Sequence, residues 1–518
     1  MTDLDPDEFR RLGHAVVDWV AGYRAGLPDR PVRPDVIPGQ VRAGLPDLLP
    51  EHPQSLDTLL DAVDRVVVPA TVAWQHPGFY GYFPANAALA SLLGDLLSGG
   101  LGSQGMLWST SPAGTEVEQA LLDGLAGALG LDDGFTFAGG GGGTIADSAS
   151  SAALVALLAA LHRSSSQEGS GTSRWRDEGV DGRERVYVTA ETHSCMAKAA
   201  RVAGLGARAL RVVETCPQPP GTATSRVREA DAEGPRLTAT SMSPDALAAL
   251  LRADVAAGLR PVLVCPTVGT TGTGAVDPVR AIAGVAREHG AWVHVDAAWA
   301  GVAALCPEHR GLLDGVELAD SFCTDAHKWL LTAFDASLLW VRDATALPAA
   351  LSITPEYLRD AASESGAVVD YRDWQVSLGR RFRALKLWTV LHTHGLEGLR
   401  AHIRGHVALA AELAGRVTAE PGFALAAPPS LALVCLRRDT GDPEADDRAT
   451  RALLETVNAS GRAFLSHTVI DGRYAIRVAV GGVTTGREHV DALWDLLRST
   501  ADLHTPLATT PTSGTVVG

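Results

Sequence analysis

Two side chains, Lys328 and Asp296, carry the most recognisable chemistry in this sequence. Lys328 stands in Thr324-Asp325-Ala326-His327-Lys328-Trp329, 32 positions after Asp296 in the apolar run Val293-His294-Val295-Asp296-Ala297-Ala298. A lysine amine condenses with an aldehyde to an imine, and a carboxylate at a strand end can hold a heterocyclic nitrogen protonated. Alone, each is ambiguous. A lysine beside a tryptophan is ordinarily a surface residue resting its stem on apolar atoms, and an aspartate after a strand is ordinarily a loop or cap residue.

Five consecutive glycines, Gly139 to Gly143, precede Thr144-Ile145-Ala146-Asp147-Ser148-Ala149-Ser150 and an Ala/Leu-rich helix. Free N–H groups at a helix start, its positive dipole end and serine hydroxyls form a phosphate cradle. The plainer reading is a flexible linker before a capped helix. A Walker loop is excluded because no Gly-Lys-Ser/Thr follows. A dinucleotide fingerprint is weak, since no strand with an acidic end follows about 20 residues on. His193, in Thr192-His193-Ser194, lies just beyond a strand, where open α/β sheets place ligand contacts, and its imidazole can stack on a pyridine ring. Thr270 and Thr271 end the next strand in the same way. A phosphate-bearing aldehyde held at the helix start and linked to Lys328 accounts for the whole set: pyridoxal 5'-phosphate.

The elements that must position these groups alternate in type. Strand-like runs at 185–189, 261–265, 291–295 and 337–341 are separated by helix-like runs at 148–163, 243–259 and 278–288, so an α/β layer with a mostly parallel sheet is expected. Phe9, Leu12, Val16, Val20 and Tyr23 recur at helical spacing, and Gly26 to Pro31 ends that first helix. Prolines at 34, 38, 46, 50 and 53 then suggest an extended segment that wraps a second subunit. The expected division is an N-terminal dimerisation arm over 1–94, a large cofactor-binding α/β domain over 95–394, a small α+β domain over 395–500 and a disordered tail over 501–518. Stretches 164–182 and 217–240 read as surface loops.

With 518 residues, more than one core is expected. A net charge of −16 argues against nucleic acid or an anionic membrane as partner. The six cysteines are scattered without CxxC spacing, which suits reduced thiols in the cytoplasm and no metal site. No secretory signal and no apolar run of membrane-spanning length are visible.

A further series of motifs appears in order: Tyr82-Phe83-Pro84, Trp108-Ser109-Thr110-Ser111-Pro112-Ala113, Ser148-Ala149-Ser150, His294 to Gly301, His327-Lys328-Trp329 and Leu378-Gly379-Arg380-Arg381-Phe382-Arg383. In these the chain resembles the group II pyridoxal-phosphate-dependent decarboxylases, most closely the aromatic-L-amino-acid decarboxylases, from residue 9 to about 497. The resemblance implies fold-type I and an obligate homodimer with shared active sites. It implies that Lys328 forms the imine, Asp296 pairs with the pyridinium and His193 stacks on the ring near substrate. Ala149, Ser150 and Thr271 would contact the cofactor, with Ala298, Asp325 and His327 beside it. Asp325 and Asp147 depart from the animal enzymes, which have asparagine and glycine there, and two carboxylates near a phosphate dianion repel it.

The same resemblance assigns proton delivery to Tyr357, on a lid spanning 354–371. Related aldehyde synthases carry phenylalanine at that position or asparagine at the position of His193, so this chain reads as a true decarboxylase. Its pocket is expected to include Trp74, Tyr82, Phe83, Pro84 and Ala85, with Gln104 and Met106 from across the dimer, and Gln75 and His76 near the mouth. No arginine or aspartate stands among them, which suits tyrosine, DOPA, phenylalanine or tryptophan. The alternatives are a decarboxylase of glutamate or diaminobutyrate, an aromatic aldehyde synthase, an aminotransferase and a non-catalytic homologue.

Overall fold

The computed structural model describes residues 3–166, 173–218, 237, 239–353 and 361–503. Its centre is a seven-stranded sheet built from β1 (Gly142–Ala146), β2 (Glu184–Val188), β3 (Leu210–Val212), β4 (Arg260–Val264), β5 (Trp292–Asp296), β6 (Ser321–Asp325) and β7 (Ser337–Val341). Their spatial order is β1-β7-β6-β5-β4-β2-β3. Only β7 runs against the rest, pairing antiparallel with both neighbours. The fold is therefore α/β with a mostly parallel sheet. Helices and loops cover both faces, so the strands are apolar along their length, as Val262, Leu263 and Val264 show.

Three strands were not apparent as apolar runs. β3 has three residues, too few for a pattern. β6 reads Ser-Phe-Cys-Thr-Asp because one of its faces carries the polar-paired side chains of Ser321, Cys323 and Asp325. β1 is hidden in the pentaglycine, and here the expectation of a glycine phosphate cradle is overturned. Gly142 and Gly143 lie in β1, at the end opposite the helix start. A methyl on Gly141 would sit 2.1 Å from the Gly134 carbonyl oxygen, and one on Gly142 would sit 2.5 Å from the Phe137 ring. The glycines are thus required for close packing. Any cradle must come from 147–150 instead.

Helix Ala149–Ser165 leaves the end of β1 and lies across the sheet with eight buried residues. A buried ion pair fixes its start. Arg380 donates to Glu118 at 2.6 Å and to the Ile145 carbonyl at 3.0 Å, while Glu118 accepts the Ile145 N–H at 2.7 Å. Removing one partner of such a pair strands the other charge and costs about 3–5 kcal/mol.

A second, antiparallel sheet follows from Phe423–Leu425, Leu433–Arg438, Arg473–Ala479 and Ser466–Ile470, in that spatial order. Helix Ala384–Ala419, broken at Gly395, joins the two sheets. It packs closely on helix Leu89–Leu101 at Gly94, where a Cβ would lie 2.5 Å from the Lys386 Cα. The first helix spans Pro6–Ala25. Tyr357 with the rest of 354–360, at the start of the expected lid, parts of the two surface loops and the tail from 504 lie outside the described residues.

Two core histidines make stability depend on pH. Burial pushes His294 down to about 4 and His406 down to about 3. His406 Nδ1 accepts the Trp329 indole N–H at 3.0 Å. Both are neutral when folded, whereas the unfolded chain protonates them below the ordinary value of 6.5. The unfolded state binds more protons there, so stability falls as pH drops from about 6.5 towards 4, by about 1.4 kcal/mol per histidine per pH unit. Urea unfolding of the apo-protein between pH 7.5 and 5 is expected to show this slope, reduced in a His406→Gln variant. Identical pH profiles for the parent and the variant would contradict neutral burial of His406.

Candidate functional site

Every expected cofactor group in the described residues sits at the carboxyl ends of parallel strands, the edge where open α/β sheets bind ligands. β5 delivers Asp296 and β6 delivers Asp325, with Lys328 one turn further on. Lys328 Nζ lies 2.8 Å from Asp325 Oδ2, and the lysine side chain is 23% exposed. His327 Nε2 approaches the same oxygen at 3.5 Å, and its Nδ1 accepts the Ala336 N–H at 3.2 Å. Burial alone would raise the Asp325 carboxyl, but Lys328 and His327 more than offset it and hold it below its ordinary value. Burial likewise works against the Lys328 ammonium, while Asp325, aided by Asp296, lifts it above the usual lysine value. Asp325 is the counter-ion of the amine. Asp147, the other departure, is exposed and accepts a hydrogen bond from the Ser148 hydroxyl at 3.3 Å.

Asp296 is 5% exposed and accepts the Ala298 N–H at 3.0 Å. At the end of β1, Ser148 caps helix Ala149–Ser165 by accepting the Ser151 N–H. Helix geometry leaves the N–H groups of Ala149 and Ser150 without intrahelical partners. His193 caps helix Ser194–Val202, its Nδ1 accepting the Cys195 N–H at 3.2 Å, so its Nε2 is free to face a ligand. Burial pushes the Cys195 thiol up to about 12, with Asp296 adding to the rise and Lys328 opposing it.

A cavity of about 780 Å³ opens at His193, Thr271 and Tyr82. Its far wall includes His467 and Arg477 from the second sheet and Phe464 just before it, with Glu191 on the near side. Arg477 and Glu191 were missed from sequence, where the pocket was expected to lack charge. Arg477 is 3% exposed, donates to the carbonyls of Gly272 and Tyr82, and leaves Nη2 without a partner. It also covers the Phe83 ring at 5.0 Å. Its signal was an arginine inside the apolar strand run Ala475-Ile476-Arg477-Val478, since charge is rarely buried in a strand without a task. Burial raises the Glu191 carboxyl, with Asp471 adding to it.

Of the residues expected at the substrate, Tyr82 and His193 line this cavity. Trp74 stacks on Tyr82 at 5.6 Å and Phe83 stacks on Trp299 at 4.1 Å, so both support the wall from behind. Pro84 packs where a side chain on Gly481 would touch it at 3.2 Å, and the Ala85 carbonyl accepts from Gln75. Gln75 and His76 are turned inward, to the Ala87 and Gly78 backbone, and do not reach the mouth. Gln104 and Met106 are held by the backbone of Arg380 and Arg372 and stand apart from this cavity.

An amine, a buried carboxylate, free helix N–H groups and a stackable imidazole fit the imine, ring nitrogen, phosphate and ring of pyridoxal phosphate. Replacing Asp325 by asparagine removes the opposing charge, so the proton affinity of Lys328 is expected to drop. The reaction of apo-protein with pyridoxal phosphate, followed by visible absorbance, then shifts to lower pH. An unchanged profile would show that Asp325 does not hold the ammonium.

Comparison with known proteins accords with this geometry. The chain matches the pyridoxal-dependent decarboxylase conserved domain over residues 38–439. It is 42% identical to tyrosine decarboxylase 4 of Petroselinum crispum, over 97% of this chain and 95% of that one. Phenylacetaldehyde synthase of Arabidopsis thaliana is also 42% identical, over 96% of each chain. The crystal structure of Oryza sativa TDC with PLP and tryptamine superposes with a TM-score of 0.88 at 37% identity, covering 97% of this chain and 99% of that one. The chain belongs to the pyridoxal-dependent decarboxylase family.

Proposed function

We propose that this protein decarboxylates an aromatic L-amino acid to carbon dioxide and the corresponding amine, using pyridoxal phosphate on Lys328. The observation that carries the reading is a cavity in which a buried guanidinium with a spare N–H, Arg477, faces two aromatic rings beside His193. Those are the three recognition elements of an aromatic amino acid: a cation for its carboxylate, flat apolar surface for its ring and a group near its reacting carbon. When bound, the cofactor supplies an electron sink for the bond to the departing carboxylate.

The chain's own residues do the rest. Asp296, oriented by the Ala298 N–H, holds the ring nitrogen protonated. Ala149, Ser150 and Thr271 donate to the phosphate end, and Asp325 serves the Lys328 amine, with His327 supporting it. Arg477 fixes the substrate carboxylate, and His193 with Tyr82 and Phe464 confines its ring. Trp74 holds Tyr82 by stacking on it, and Phe83 lies under the Arg477 guanidinium. Tyr357, on the 354–371 segment, delivers the proton to Cα, and its presence together with His193 favours amine over aldehyde.

The proposed assembly is a homodimer. Leu89, Leu93, Leu96, Leu97 and Leu101 are exposed along one face of helix Leu89–Leu101, and Phe9, Val16 and Val17 are exposed on the first helix. An apolar stripe of this kind suits a second copy, which brings Gln104 and Met106 to the site. The division into arm 1–94, large domain 95–394 and small domain 395–500 belongs to the same proposal. No described helix is long and apolar enough to cross a membrane, and the six free cysteines suit the cytoplasm. The net charge of −16 disfavours nucleic acid.

The test is a panel of L-amino acids, with amine, aldehyde, peroxide and carbon dioxide quantified. Amine and carbon dioxide in equal amounts from an aromatic substrate, without peroxide, is the expected result. Aldehyde with peroxide would remove the role given to Tyr357, and turnover of glutamate or diaminobutyrate alone would reassign Arg477 or Glu191 to a side-chain charge. An Arg477→Met variant is expected to lose about 2–5 kcal/mol of substrate binding, at least roughly a 30-fold rise in KM. An unchanged KM would show that Arg477 does not bind the carboxylate.

A further inference from the structure

Alternate residues of a strand share a face, so one face of β5 presents Trp292, His294 and Asp296 together. Opposite them β6 presents Ser321, Cys323 and Asp325, because His294 pairs with Ser321 and Asp296 with Cys323. A continuous line of contacts runs between the two rows. The Trp292 indole N–H donates to Ser321 Oγ at 2.7 Å, and Ser321 Oγ lies 2.8 Å from His294 Nδ1. His294 Nε2 lies 3.8 Å from Cys323 Sγ, which in turn lies 3.9 Å from Asp296 Oδ1. All five side chains are buried.

The chemistry of each group sets the direction of the line. An ionised carboxylate only accepts, so the Cys323 S–H must point at Asp296. Burial keeps that thiol protonated by pushing it well above its usual range, with Asp296 adding to the effect. The sulfur therefore accepts from His294 Nε2–H. A neutral imidazole has one N–H, so His294 Nδ1 is the acceptor, and the Ser321 hydroxyl donates to it. Trp292, which can only donate, starts the chain. In this arrangement each donor points towards Asp296; the other tautomer of His294 would turn the Cys323 S–H away from the carboxylate.

We propose that Trp292, Ser321, His294 and Cys323 form a one-way hydrogen-bond relay that ends on the Asp296 carboxylate and aims it. Cys323 and His294 are then positioning residues for the cofactor. The inference rests on the reading of Asp296 as partner of the cofactor's ring nitrogen. The relay answers a physical need. Asp296 has lost nearly all its water and receives one backbone N–H, from Ala298. A thiol is a weak donor alone, but donors in series polarise one another in a low-dielectric interior. A neutral relay stabilises the anion without placing a cation beside it, so the carboxylate stays free to pair with a protonated ring.

The test measures pyridoxal phosphate affinity and the visible spectrum of the bound cofactor in Cys323→Ala, Cys323→Ser and Asp296→Asn. Losing one hydrogen bond to a charged group is expected to weaken affinity about three- to tenfold in Cys323→Ala and to change the ratio of the cofactor's absorption bands. Cys323→Ser, which keeps a donor, is expected to stay within about twofold of the parent. If Asp296→Asn weakens binding and Cys323→Ala does not, the relay is wrong while the role of Asp296 stands. If neither changes affinity or spectrum, the role of Asp296 fails as well. Neutron diffraction of the unmutated holoenzyme tests the relay even if a variant misfolds. Deuterons on His294 Nε2 and Cys323 Sγ are expected; a deuteron on His294 Nδ1 with Nε2 bare would overturn the proposal.

Discussion

The register between β5 and β6 is the constraint on which the site depends. The two strands pair in parallel with Asp296 opposite Cys323, which puts Asp296, Asp325 and the approach to Lys328 at one sheet edge. Side chains alternate across a strand, so a slip of one residue would carry Asp296 into the opposite layer and expose Val295 in its place. The apolar partners of that alternation prevent it. Val293, Val295 and Phe322 are fully buried on the other face, each worth about 1.5–3 kcal/mol if turned out to water. The catalytic register is thus enforced by side chains that take no part in chemistry.

Within that frame the buried charges divide by task. Glu118 and Arg380 pair with each other and with β1, and so position the helix start. Asp325 and Lys328 also pair, although Lys328 must surrender its proton to react. Arg477 is different: it has hydrogen bonds to carbonyls but no carboxylate partner among the described residues. A buried cation left in that state is costly unless a ligand completes it, and Arg477 lines the cavity that opens at His193.

Much of this was legible in the sequence, and the misses share a cause. β4, β5 and β7 showed as apolar runs because both of their faces are covered. β6 did not, because Ser321, Cys323 and Asp325 occupy one face and are satisfied by polar partners, which masks the strand pattern. The pentaglycine misled for a related reason: glycine signals close packing and phosphate binding equally, and only the position of Gly134 and Phe137 separates them. Lys328, Asp296 and His193 were recognisable because their motifs are local. Arg477 was not, since it reaches the site from another sheet, 149 positions beyond Lys328.

The central claim is that Lys328 is the amine that carries the cofactor. The chain holds only three lysines, Lys198, Lys328 and Lys386. Lys198 is exposed on a helix, and Lys386 is fully buried against Asp335 at 3.3 Å. Borohydride reduction of the pyridoxal-phosphate-loaded protein, followed by peptide mapping, tests the claim most directly. A stoichiometric pyridoxyl label on the peptide containing His327-Lys328-Trp329 is the expected result. A label on Lys198 or Lys386, or none at all, would contradict it.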